Sequence, residues 1–330
     1  MRVLVVKLSS LGDVVHSLAS VMDMRQAMRD ASIDWVVEDG FAPLLQTCPA
    51  VDRVIACRLR RWRKQWWTAD TRQEWRTFMS ELHAVKYDAV IDLQGLSKSA
   101  LISRLTSLSE QGKRYAMANR TRGSAYERPT RWVADELIEC PWDSHAVQRA
   151  RHVCSHALGY PESYQGIQTM FIEPDPSVAP RTLALVHGTS RADKCWPLNH
   201  WMTLARQLTS MGFQLALPHS NDAEERVAMQ VAQSCAGSVV WPRSDIFQLS
   251  RRLAACVGVI GVDSGPSHMA VALGLPHVQI YNFDTAWRTG PQHCDWQQSV
   301  FAQPQPSPEV VMHTWLDCLR AHENKTGIQP

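Results

Sequence analysis

The chain of 330 residues contains no CxxC pair, although it holds nine cysteines: Cys48, Cys57, Cys140, Cys154, Cys195, Cys235, Cys256, Cys294 and Cys318. That spacing excludes a zinc ribbon or a thioredoxin-like redox centre. An odd count scattered over a long chain fits reduced thiols better than a disulfide framework. Long apolar runs are missing too. The opening stretch MRVLVVKLSSLGD has only four consecutive apolar residues, too few for a signal peptide. Nothing approaches the roughly 18 that a membrane-spanning helix needs. The expectation is a cytosolic protein that meets any membrane from its surface. Net charge is nearly absent, with 34 basic against 32 acidic residues. Bulk charge therefore excludes a strongly basic nucleic-acid binder, though not a local basic patch. There is no GxGxxG, no Walker A loop and no GxSxG elbow, so dinucleotide binding, P-loop chemistry and α/β-hydrolase chemistry have no support.

What is present suits a globular enzyme. Apolar residues make up 45% and charged residues 20%, enough to bury a sizeable core. At about 150 residues per domain, the length favours two domains. Thirteen tryptophans supply broad faces for packing, stacking or an interfacial position. Buried-strand patterns fall at 2–7, 32–37, 52–57 and 87–93, with helical spacing from Val14 through Leu18 and Val21 to Met24 and again from Lys98. The segment EPDPSVAP, 173–180, carries three prolines and reads as a linker. After it the alternation restarts: RTLALVHG, FQLALP, SVVW, VGVIGVD and a final HVQIYN as strands, each separated from the next by helical spacing, then a C-terminal helix within VVMHTWLDCLRAH. The fold class is α/β, with two Rossmann-like doubly wound domains facing across a cleft. The expected domains are 1–175 and 176–330, the terminal helix being free to return to the first. The alternative is one large α/β domain with an insert.

Four constellations carry chemistry. The loop KLSSLGDVVH, 7–16, leaves the first strand and opens a helix. Asp13 is either a helix cap or a carboxylate at the ligand-binding edge of the sheet. HGTSRADKCWP, 187–197, offers hydroxyls, N–H groups and Lys194 after a strand, which suits a diphosphate. GVDSGPSH, 261–268, brings N–H donors, His268 and Asp263 to a strand–helix junction, or is merely a capped helix with a core histidine. In RLRRWRKQWW, 58–67, five of the first seven residues are cationic and three tryptophans interleave. Such a run is a solvated face or a binding surface for phosphates or anionic lipid head groups. Arg114, Arg120, Arg122 and Arg128 add basic charge to the same half.

On KLSSLGDVVH, RRWRK, IDLQGLSKSA, TSRADKCWP and VDSGPSH, the chain resembles glycosyltransferase family 9, the heptosyltransferases, over nearly its whole length. The RRWRK run and the KLSSLGD form point to the branch that adds the first heptose. The resemblance implies a GT-B fold and inverting transfer of L-glycero-D-manno-heptose from ADP-heptose to Kdo of lipid A, in the lipopolysaccharide inner core. It puts Asp13 at the general base and Thr189, Ser190 and Lys194 in the diphosphate loop, with Lys194 stabilising the leaving group. Glu224 falls on a carboxylate that holds the ribose, and Ser244 lies near the adenine. Asp263, Ser264, Gly265 and His268 fall around the heptose and phosphates. Acceptor contacts are assigned to Ser10, Gly12, Arg60, Arg61, Arg63, Lys64 and Arg120. No cofactor, metal or nucleic acid is implied, and the enzyme is expected at the cytoplasmic face of the inner membrane as a peripheral protein.

The chain departs from the family pattern in places. Serines stand at 190 and 264 where threonine is frequent, which keeps a hydroxyl. Asn282-Phe283-Asp284-Thr285 replaces a Gly-Pro-Thr-Asp-like stretch, and His219-Ser220 replaces a Trp-Gly pair. The rival readings are an enzyme of the second-heptose type or with another nucleotide sugar, a nucleotide-binding module without catalysis, and a membrane-surface adaptor.

Overall fold

The computed structural model describes residues 1–162, 164, 168–292 and 294–327. The chain divides into two compact units, Met1–Tyr164 and Gln165–Pro330.

In the first unit the elements run β1 (Arg2–Val6), α1 (Leu11–Ala27), β2 (Ser32–Glu38), α2 (Ala42–Leu45), β3 (Arg53–Cys57), α3 (Leu59–Gln65), α4 (Ala69–Leu82), β4 (Tyr87–Asp92), α5 (Ser97–Leu105), β5 (Leu108–Met117), α6 (Thr130–Val133), β6 (Glu136–Ile138) and α7 (Ala146–Leu158). The sheet is parallel throughout, in the order β3-β2-β1-β4-β5-β6. β1 reads as an unbroken apolar run because helices cover both faces of a central parallel strand. β5 and β6 were not legible as strands. β5 is polar over most of its length, and its pairing with β4 shifts register between Tyr87 and Ala89. There a Cβ on Gly112 would sit 2.4 Å from the Tyr87 carbonyl, so only glycine permits the approach. α7 crosses back onto α1. The buried Arg151 Nε meets Asp23 Oδ2 at 2.8 Å, and Gly159 ends the helix at φ 74°.

The second unit continues with β7 (Thr182–Val186), α8 (Leu198–Ser210), β8 (Gln214–Leu217), α9 (Asp222–Gln233), β9 (Ser238–Val240), α10 (Ile246–Ala254), β10 (Gly258–Val262), α11 (Gly265–Ala272), β11 (His277–Tyr281), α12 (Ala286–Thr289), β12 (Gln297–Phe301) and α13 (Pro308–Thr326). Its order, β12-β11-β10-β7-β8-β9, has the same doubly wound form. HVQIYN is not the last strand. β12 pairs outside it, unrecognised because QQSVF is short and half polar, as an edge strand can be. The core gathers Leu185, Trp201, Leu217, Ile260, Val278 and Trp315. α13 lies on α8, β11 and β12 of its own unit. The proline-rich segment is tied down here as well: Asp175 N–H donates to the Arg251 carbonyl and its carboxylate faces Arg252.

In a doubly wound sheet, ligands bind beyond the carboxyl ends of the strands where the order reverses. Those points fall between β1 and β4 in the first unit and between β7 and β10 in the second.

Candidate functional site

In the second unit, the loops leaving β7 and β10 meet at Asp263. Lys194 Nζ donates to its Oδ2 at 2.5 Å, and His268 Nε2 lies 3.2 Å from its Oδ1. Gln279 of β11 reaches both Asp263 and His268 at 3.5 Å, and the Thr189 hydroxyl donates to the Asp263 carbonyl at 3.2 Å. Burial pushes the Asp263 carboxyl up, but the hydrogen bond and charge of His268, then those of Lys194, outweigh it. The carboxyl ends well below the usual carboxylate range. Ser264 occupies the N-cap of α11; its hydroxyl meets the Ser267 hydroxyl at 3.4 Å and caps no backbone N–H, so the N–H groups of Gly265 and Ser267 face the site where an anion would bind. Gly265 begins that turn. Ser190 is exposed at the tip of the β7 loop, and Ser244 is half-buried after β9.

Glu224 sits in the first turn of α9, where its Oε2 accepts from both the N–H and the hydroxyl of Ser220 at 2.7 and 2.8 Å. His187 Nε2 contacts the Glu224 carbonyl at 3.0 Å. A Cβ on Gly188 would lie 2.6 Å from the Glu224 carboxyl carbon, so a larger residue there would push the carboxylate from this position. The Thr189, Lys194, Glu224, Asp263 and His268 assignments thus converge on one edge of the sheet. Asn282, in the divergent 282–285 stretch, donates to the carbonyls of Asp193 and Cys195 and so braces the Lys194 loop. Sequence reasoning missed Gln279, which belongs to no motif, and flagged Asn282 only as part of a divergent stretch, without a role.

The first unit builds a different centre around Asp13. Ser10 donates to Asp13 Oδ2 through its N–H at 3.1 Å and its hydroxyl at 2.9 Å, closing a capping box on α1. Asp13 is thus both the N3 partner of the Ser10 cap and the half-buried carboxylate at the edge of the sheet. Lys7 lies buried beneath, donating to the Leu93 carbonyl at 2.9 Å. Burial drives its ammonium down from the ordinary lysine value, against the pull of Asp13. For Asp13 the order is similar: burial alone would raise its carboxyl, but Lys7, the Ser10 bonds and Arg149 together bring it below the ordinary value. A small cavity here is lined by Lys7, Asp13, His16, Met117 and Arg149. Gln94, after β4, accepts from the N–H groups of Leu8 and Ser9, and Lys98 donates to the Ser9 hydroxyl at 2.9 Å. Arg149 comes from α7, more than a hundred residues after Asp13, and no local pattern announces it.

The basic run forms α3. Trp62 turns inward, packs on Trp75 and Phe78, and donates to Glu74 at 3.0 Å. It is core. Trp66 and Trp67 are exposed, as are Arg60, Arg63 and Lys64. Arg61 is exposed but paired with Glu74 at 3.0 Å. A groove of about 350 Å³ opens between Trp62, Trp66, Arg72, Trp75 and Arg76. Arg120 is exposed on the loop after β5, and Gly12 is half-buried in the first turn of α1.

Against known proteins, a model of glycosyltransferase family 9 (heptosyltransferase) matches residues 75–320. The chain belongs to that family. It is 37% identical over 286 residues to lipopolysaccharide heptosyltransferase 1 of Escherichia coli (strain K12), covering 85% of this chain and 88% of that one. The solved E. coli heptosyltransferase WaaC with ADP superposes with TM-score 0.85 at 32% identity, covering 96% of this chain and all of that one. The same enzyme with ADP-2-deoxy-2-fluoro heptose gives 0.76 at 33% identity, over 99% of this chain and all of that one. The family 9 protein described here is a glycosyltransferase, with the two parallel six-stranded sheets expected of its GT-B fold. Its relatives are enzymes of lipopolysaccharide biosynthesis. Among the described residues no helix is long and apolar enough to cross a membrane.

Proposed function

We propose that this glycosyltransferase moves L-glycero-D-manno-heptose from ADP-heptose to Kdo of lipid A with inversion, acting at the cytoplasmic face of the inner membrane as a peripheral protein. The observation that carries the reading is the cluster at the switch point of the second unit. There Lys194, Thr189 and the open first turn of α11 offer positive charge and N–H donors to a diphosphate. The likeness to an enzyme solved with ADP and with an ADP-heptose analogue supports the same donor. Asp263 holds the Lys194 ammonium in place. When the C1–O bond to the diphosphate breaks, Lys194 and those N–H groups take up the growing negative charge on ADP. Glu224 and Ser244 serve the nucleoside, with Ser190, Ser264, Gly265 and His268 nearer the phosphates and sugar.

On the first unit, Asp13 accepts the proton of the acceptor hydroxyl as its oxygen bonds to C1. Its lowered carboxyl keeps it ionised at neutral pH. A base of this kind contributes about 10²–10⁴-fold. Ser10 and Gly12 shape its turn, and Arg60, Arg61, Arg63, Lys64 and Arg120 draw the anionic acceptor. The test is direct. The protein is incubated with ADP-heptose and Kdo-lipid A, and ADP release and a heptose mass increment on the lipid are expected together. ADP release without a heptosylated lipid, or neither signal, overturns the reading.

A further inference from the structure

We propose that His152, His156 and Glu162 form a structural site for one zinc-class divalent cation on the first unit, taking no part in the transfer. His152 and His156 stand one turn apart on α7, with ring centroids 4.0 Å apart. Gly159, in the left-handed conformation, reverses the chain and returns Glu162 to the same face. Glu162 Oε1 then lies 2.8 Å from His152 Nδ1 and 3.6 Å from His156 Nδ1, and one ligand atom from each of the three residues falls within 4.8 Å of the others. Zinc ligands sit about 2.0–2.2 Å from the ion, which places two ligands of a tetrahedral site about 3.4 Å apart. The observed separations bracket that spacing.

The hydrogen bonding of His152 sharpens the case. Its Nε2 lies 2.9 Å from the Glu139 carbonyl, which can only accept, so that nitrogen carries the hydrogen. In the neutral ring Nδ1 is then a bare lone pair facing a carboxylate oxygen. Two acceptors in contact need positive charge to hold them, supplied by a proton on the ring or by a cation bound to both. A ring N–H fixed on a backbone carbonyl with the other nitrogen presented outward is also how metal-ligating histidines are oriented. His156 Nδ1 rests 2.9 Å from the His152 carbonyl. That contact puts a hydrogen on Nδ1, so to bind the ion His156 must leave the carbonyl and present a bare ring nitrogen; half of its side chain is in solvent, which leaves room for the ring to turn. Two imidazoles and one carboxylate favour zinc over calcium or magnesium, which take oxygen ligands. The exposed side of His156 leaves room for water as the fourth ligand. An ion here would clamp the chain after Gly159 to the last turns of α7, the helix that carries Arg149 and Arg151.

The experiment uses the full-length, untagged protein after chelator treatment, with Zn²⁺ and Co²⁺ as probes at neutral pH. One equivalent of Zn²⁺ should bind and raise the melting temperature. His152→Ala, His156→Ala and Glu162→Gln should each weaken binding by at least about tenfold and lose the metal-induced rise. Circular dichroism identifies variants that remain folded, and Glu162→Gln, the least disruptive, decides if either alanine variant fails. Bound Co²⁺ should show d–d bands without a thiolate charge-transfer band. Failure of the wild type to bind Zn²⁺, equal binding by folded variants, or a thiolate band marking a cysteine site would each overturn the proposal. An ion pair with no metal gives the first of these outcomes.

Discussion

Lys194 and Glu224 stand near the same loop but hold different partners, and this separates their expected effects. Lys194 is the cation at the place proposed for the breaking bond, so Lys194→Ala should weaken ADP-heptose binding and lower kcat together. Glu224, in the nucleoside position proposed for it, would make a contact that barely changes between ground and transition state. Glu224→Ala should raise the donor Kd with a smaller effect on kcat. Calorimetric titration with ADP and steady-state rates on the three proteins check this, and equal ADP affinity in all three removes both residues from the site. Lys194 and Asp263 stood out as candidates because each follows a strand end, and Asp13 because it lies in the first turn of the helix after β1. Arg149 and Gln279 stood in no motif, and Lys7 and Gln94 lay inside motifs without a role. Each acts through a partner brought close only by the sheet order or by α7 crossing onto α1.

At the scale of elements, the run at 58–67 shows what composition hides. Charge and tryptophan content are visible in the sequence, but the helical turn decides that Trp62 packs inside while Trp66 and Trp67 face out. Arg61 is partly spent on Glu74, whereas Arg60, Arg63 and Lys64 project from α3. Charge attraction at an exposed surface is screened within about 8–10 Å at physiological salt. The acceptor KM should therefore rise with ionic strength while the donor KM moves less. Replacing Arg60, Arg63 and Lys64 by glutamine should raise the acceptor KM and flatten that salt dependence. An unchanged KM with the same salt response would make α3 a solvated face. The strands that escaped the sequence, β5, β6 and β12, lie toward or at sheet edges, where one side can stay polar and the apolar signal fades. The central strands of both sheets were legible because burial on both faces leaves continuous apolar runs.

Over the whole molecule, stability against acid has an identifiable contributor. His277 is fully buried in β11, with Nδ1 donating to the Val259 carbonyl and Gln279 beside the ring. Burial lowers its pKa to about 4 from the ordinary 6.5. Between those values the unfolded chain takes up a proton that the folded chain refuses, so stability is complete above pH 6.5 and falls as pH drops toward 4. Thermal melting should show this decline, and His277→Asn, which keeps a donor for Val259, should make it shallower. An equal slope in the variant would assign the acid sensitivity to other groups. The central claim is a division of labour, with donor recognition on the second unit and proton removal by Asp13 on the first. Asp13→Asn tests it most directly, because the amide oxygen can still accept from Ser10 while basicity is lost. Measured with ADP-heptose and Kdo-lipid A, this variant should bind the donor as the wild type does, melt within a few degrees of it, and lose at least about 10²-fold in kcat. Near-wild-type kcat with a lowered melting temperature would reduce Asp13 to the partner of the Ser10 cap on α1 and contradict the account.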